Sequence, residues 1–283
     1  MRLQIAEDSY SLQGFRGIQS PGTSGLLTIV RDHFQDTSSR PAPVFVLREV
    51  PWDSLHEPPL ARKRRYRIRY AEQGKDLLFS TETTRVRLNM TAGIMEIGLN
   101  PAITTDLDKV LLAHLRLAVS LNTIYKGGVP LHCAAAIPAR GSGASVFTAR
   151  SGGGKSTIIS LLCPPWKPLG DDCHVLLPRD GNWRVFPTPF VTPELLHHCL
   201  TQSFIIDRIF AIEHGDENEM LPLPLSKKYQ ALLEGVYTLP TTERLGTAVM
   251  DNAAAAATEI PVMRLKVRKN RTFREWFGTQ RKT

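Results

Sequence analysis

Residues 149–156 run Ala149, Arg150, Ser151, Gly152, Gly153, Gly154, Lys155, Ser156, an order and spacing that can hold a polyphosphate. Consecutive glycines let backbone N–H groups turn toward one anion. The lysine after them supplies a point charge for the terminal phosphates, and the next hydroxyl completes the shell of a bridging Mg²⁺. The nucleotide expected is ATP with Mg²⁺. Its binding residues would be Arg150, Ser151, Gly152, Gly153, Gly154, Lys155, Ser156 and Thr157, with Ser156 as a metal ligand. The competing reading, a Gly-Ser surface turn, is disfavoured by the flanks: β-prone Val146–Thr148 precedes the loop and apolar Ile158–Leu162 follows it.

Downstream, Asp171 and Asp172 precede the apolar run from Cys173 to Leu177. Two carboxylates at a strand edge can divide two tasks, one holding Mg²⁺ and one accepting the proton of an attacking hydroxyl. Upstream, His132 sits in an otherwise apolar strand and is followed by small residues, which leaves space beside the ring. A lone strand histidine is more often a satisfied core residue than a catalyst. Cys133, Cys173, His174, Cys199 and the pair His197 and His198 invite a zinc reading, but no cysteine pair has the usual zinc spacing, so buried free thiols are expected.

Together, Leu131–Ala135, Ser151–Thr157 and Leu169–Asp172 resemble, in order and spacing, the core of the HPr kinase/phosphorylase family. The resemblance spans residues 106–213. It is strongest to the HPr-kinase-related proteins of peptide-modifying cassettes, such as lasso-peptide kinases and SynChlorMet-type radical-SAM cassette proteins. There, an element like Pro187–Phe190 recurs downstream. The resemblance implies an α/β fold, a P-loop HPr-kinase-like or PEP-carboxykinase-like core behind an N-terminal mostly β module. It further implies that His132 contacts the acidic pair, that Asp171 acts as general base and that Asp172 holds metal; Lys155, with Arg150, would serve catalysis by stabilising charge on the transferred phosphoryl. Thr157 departs from the glutamate usual in HPr kinases, and their C-terminal glycine-rich signature does not follow Phe190. A peptide or protein hydroxyl therefore fits better than HPr as acceptor, and phosphorylase activity is not expected. Two other functions are weighed: an ATP-binding accessory protein that presents a precursor peptide to another cassette enzyme, and a kinase of free metabolites.

The elements that must position these residues can be read from periodicity. Short strands and turns fill residues 1–100: 26–30, 44–47, 66–70, 84–90 and 94–99, with turn chemistry at 20–25 and 40–43. From Leu107 to Asn122, apolar residues recur at helical spacing behind Thr104, Thr105 and Asp106, predicting one long helix. Two buried strands at 129–137 and 144–148 form a hairpin-like pair. The apolar stretch 157–163 is helical, 173–177 and 205–213 are strands, and 253–257 and the basic tail are helical. Two domains result, 1–100 and 101–283.

The net charge of +8 comes largely from residues 62–69 and the tail 264–282. In the first run Tyr66, Ile68 and Tyr70 alternate with arginines, the period of a half-buried strand. Without an accompanying recognition motif, nucleic acid is not the expected partner. No stretch is apolar enough to span a membrane, and residues 1–10 lack a signal-peptide pattern, so a cytoplasmic protein is expected.

Overall fold

A computed structural model of the chain describes residues 2–6, 8–13, 45–56, 69–102, 107–141, 143–191, 195, 200, 202–238, 242–268 and 272–280. The expectations for 14–44, 62–68, 104–106 and 197–199 lie outside them. Contacts divide the chain into two compact units, Met1–Asn122 with Pro240–Glu243, and Thr123–Leu239 with Arg244–Thr283.

The first unit carries a seven-stranded mixed sheet built from β1 (Arg2–Ile5), β2 (Asp8–Gln13), β3 (Phe45–Val50), β4 (Arg69–Gln73), β5 (Asp76–Ser80), β6 (Thr84–Asn89) and β7 (Ile94–Leu99), in the order β1-β2-β3-β7-β6-β5-β4. Period-two alternation sets its faces: Thr84, Val86 and Leu88 are buried while Arg85 and Arg87 lie outward, and Arg87 pairs with Glu96 across the ladder. The expected long helix is α1 (Leu107–Tyr125), with Leu111, Leu115, Ala118 and Val119 buried. Near its end Asn122 donates to Asp8 at 2.8 Å and to Tyr10 at 3.0 Å, so these buried polar groups satisfy one another.

The second unit is built on eight strands. They are β8 (Val129–Ile137), β9 (Ala144–Thr148), β10 (Lys167–Gly170), β11 (Cys173–Arg179), β12 (Asn182–Phe186), β13 (Phe204–His214), β14 (Glu219–Pro222) and β15 (Val262–Val267). The expected hairpin is present, with Cys133 opposite Thr148 and Ala135 opposite Val146. The β9 strand runs antiparallel to β8 and parallel to β13, which in turn runs parallel to β15. The lower half of β8 pairs instead with β11.

Strand alternation makes two cores. On one face Cys133, Ala135, Val146 and Ile209 pack against Leu232 of α3 (Leu225–Gly235) and Ala253, Ala256 and Ala257 of α4 (Glu243–Glu259). On the other, Ala134, Ala136, Phe147 and Phe210 meet Ile158, Ile159 and Leu162 of α2 (Lys155–Leu162) and Phe273 and Phe277 of α5 (Phe273–Gln280). The sheet is thus sandwiched between helices, with Phe147 and Phe210 rings 5.4 Å and 5.1 Å respectively from their nearest stacked or edge-on neighbours. The whole is a mixed α/β chain with two mixed sheets and five α-helices among the described residues.

The basic tail departs from expectation. Residues 264–267 belong to strand β15, which pairs with β13 from Ile209–Val262 to His214–Val267. Its charges are accommodated at the sheet edge, where Lys266 reaches Glu219 of β14 at 2.8 Å and Arg264 reaches it at 3.9 Å. Among the described residues of the tail, only α5 is helical. Among the described residues no helix is long and apolar enough to cross a membrane.

Candidate functional site

Strand β9 delivers the chain into the glycine loop, and the loop delivers it into α2. Gly152 and Gly154 take positive φ angles of 76° and 94°, a conformation side chains resist, and Gly154 caps the helix with Lys155 as its first residue. Gly153 serves by its size. A Cβ there would lie 2.7 Å from the Ala149 Cβ and 2.9 Å from the Arg150 carbonyl oxygen, so the loop closes only on a glycine. Lys155 is 6% exposed; its Nζ donates to the carbonyls of Ala149 at 3.0 Å and Arg150 at 3.3 Å. Burial lowers its pKa, opposed by the negative groups nearby, among them Asp172 and Asp171.

The acidic pair occupies the tight connection between β10 and β11. Gly170 there has φ of 148°, and a Cβ would come within 2.5 Å of Val191 and 3.0 Å of the His174 ring. Strand β8 supports the pair from one side: Cys133 N donates to Asp172 O at 3.0 Å, and His132 Nδ1 lies 2.8 Å from Asp172 Oδ1. The loop after β12 supports it from another. Cys173 N donates to Phe190 O at 3.2 Å, while the fully buried Thr188 hydroxyl donates to Cys173 O and accepts from Phe190 N. Below them, His174 Nδ1 donates to the Cys133 carbonyl at 3.2 Å; burial pulls its pKa down to about 4, so the ring is neutral. Burial likewise holds the Cys133 thiol well above its usual value. Cys133, Cys163 and Cys173 are free thiols.

These pieces converge. His132, Gly152, Gly153, Gly154, Lys155, Ser156, Thr157, Asp171 and Asp172 all line one cavity of ≈ 400 Å³. Its remaining wall is Val191. Two residues expected in the binding set do not join it. Ser151 is exposed and lines none of it, and Arg150 turns away, its guanidinium held by Glu234 of α3 at 3.2 Å and 3.0 Å. That pairing raises the Arg150 pKa and lowers that of Glu234.

The family model described as SynChlorMet cassette protein ScmC matches residues 97–278. The chain belongs to that family. The ScmC match takes in α1 and every residue lining the cavity. No curated protein matches the chain.

Sequence reasoning missed several contributors to the site of this ScmC-family chain. Thr188 carried a signal, since it lies in the segment Pro187–Phe190 singled out for its resemblance. Glu234 and Val191 carried none: each acts through a contact across the fold that residue type does not announce.

Proposed function

We propose that this chain is an ATP-Mg²⁺-dependent phosphotransferase with an HPr-kinase-like core, acting on a serine or threonine hydroxyl of a peptide or protein handled by its cassette. The observation that carries this is the meeting of loop, lysine, histidine and two carboxylates in one cavity of ≈ 400 Å³. The residues fit the ligand. Gly153, where a Cβ would press on Ala149 and the Arg150 carbonyl, lets the loop close tightly, and backbone N–H groups at the start of α2 favour a polyphosphate. Among the described residues no three acidic, histidine or cysteine side chains cluster to hold a metal by themselves. Ser156 and Asp172 instead offer a partial set of the kind Mg²⁺ takes when phosphate oxygens and water complete its shell. Bound Mg²⁺ would offset charge on the transferred group.

The chain's own groups divide the remaining work. Asp172, oriented by His132 at 2.8 Å, is positioned as a metal-holding carboxylate with a hydrogen-bonded partner behind it. Asp171 accepts the proton of the acceptor hydroxyl as its oxygen bonds to the terminal phosphorus and the bond to the bridging oxygen breaks. Lys155 exchanges its two carbonyl partners for phosphate oxygens. Other enzymes of the cassette are the natural partners, since the family is a cassette protein family.

The test is purified protein, cognate peptide and ATP-Mg²⁺, with phosphopeptide read by mass. Lys155→Ala should lower kcat on the order of 10²–10³-fold and Asp171→Asn about 10²–10⁴-fold. Asp172→Asn should chiefly raise the Mg²⁺ concentration required. Full activity in Asp171→Asn sinks the base assignment. The second reading, an ATP-binding accessory protein, draws on Arg150 being held away from the cavity by Glu234. It is the answer if ATP binds yet no phosphopeptide forms.

A further inference from the structure

We infer that the larger cavity on the other side of the phosphate loop, between the carboxyl end of β13 and helix α3, seats the base and ribose of the nucleotide. This rests on the nucleotide-binding reading above. The cavity has a volume of ≈ 720 Å³, within the range of pockets that enclose small ligands. Ala149, Arg150 and Gly153 line it, and Gly153 lines the ≈ 400 Å³ cavity too, so the loop itself is the shared wall. A molecule whose phosphates lie on the loop can extend into this space without leaving the protein surface.

Topology argues for that direction. The β9, β13 and β15 strands run parallel, and ligands of such sheets bind beyond the carboxyl ends of their strands. Thr148 ends β9 and His214 ends β13, and both line the cavity. The acidic pair and His132 lie on the opposite flank of β9, at β8 and β11. Phosphoryl transfer sets nucleophile and leaving group roughly in line. With the acceptor over Asp171, the leaving diphosphate and its nucleoside point away from it, toward β13.

The lining suits a nucleoside. Leu221, Pro222, Leu223 and Pro224 present an apolar wall for a flat ring, and Gln230 and Glu213 offer acceptors and donors at the edge. The Arg150–Glu234 pair ties the loop to α3 at the cavity's rim, and Gln230 donates to Glu234 at 2.9 Å.

The experiment is calorimetric titration of the whole chain with ATP-Mg²⁺ and, separately, with tripolyphosphate-Mg²⁺. Two blocking variants are used, Ala231→Trp and Lys227→Trp; both positions line the cavity, and Lys227 is exposed, so a ring there leaves the core intact. Wild type should bind ATP at least about tenfold more tightly than tripolyphosphate, worth about 1.4 kcal/mol. Each variant should lose that advantage while binding tripolyphosphate as wild type does. The inference is overturned if both variants keep wild-type ATP affinity, or if ATP and tripolyphosphate weaken together in both. Should wild type bind neither ligand, the nucleotide reading fails and the inference with it.

Discussion

A methyl group at position 153 would press on the Ala149 methyl at 2.7 Å and on the Arg150 carbonyl at 2.9 Å. Gly153→Ala should therefore destabilise the loop by about 1–3 kcal/mol and weaken ATP binding measured by calorimetry. Adding Ala149→Gly should recover part of the loss, because it removes one of the two clashes and leaves the other. His174 gives a second residue-level expectation. Burial holds its folded pKa at about 4, below the ordinary 6.5. Above pH 6.5 both states are neutral and stability is complete. As pH falls below that, the unfolded chain takes up a proton that the folded one refuses until near pH 4. Stability should thus fall by about 2 kcal/mol between pH 6.5 and 5. Urea unfolding at pH 7 and pH 5 checks this, and His174→Gln should flatten the difference. Replacing the ring removes the only titrating group the expectation invokes.

The acidic pair is held by elements that meet only in the folded chain. Strand β8 bonds Asp172 through Cys133 N and His132, while the segment after β12 bonds Cys173 through Thr188 and Phe190. Thr188→Val should remove the buried hydroxyl that donates to the Cys173 carbonyl and accepts from Phe190 N. That should cost about 1–3 kcal/mol in thermal or urea unfolding and lower phosphotransfer although Thr188 does not line the cavity. Which elements were legible follows from how they announce themselves. The hairpin of β8 and β9 and the helix α1 carry long, unbroken apolar periodicity. The glycine loop carries its own chemistry in order. Helix α3 does not: it follows Pro222 and Pro224, is polar on most sides, and of its residues only Leu232 and Gly235 are buried. Strand β15 reads as a charged tail because Arg264 and Lys266 interrupt its apolar positions, and their partner Glu219 lies on β14, far off in sequence. Arg150 was legible as a cation but not in its direction, which Glu234 decides.

For the whole molecule, binding that occurs only in the folded state must raise stability. ATP-Mg²⁺ at about 100 times its Kd should add about 2.7 kcal/mol, seen as a higher melting temperature, and Lys155→Ala should abolish the shift. The chain carries a net charge of +8, a field that gathers anions of every kind near its surface. Among that crowd the loop has a threshold. Its lysine is not waiting empty-handed: Nζ already donates to two carbonyls of its own loop. A chloride ion, or a lone phosphate group, that meets Nζ alone would share the ammonium with those two carbonyls and find one of its three donors left. If the loop takes ATP as proposed, a chain of linked phosphates would replace both partners and meet the glycine N–H groups together. On the proposed reading, the loop would thus favour a chain of linked phosphates over a small anion, because its own carbonyls already compete for the lysine.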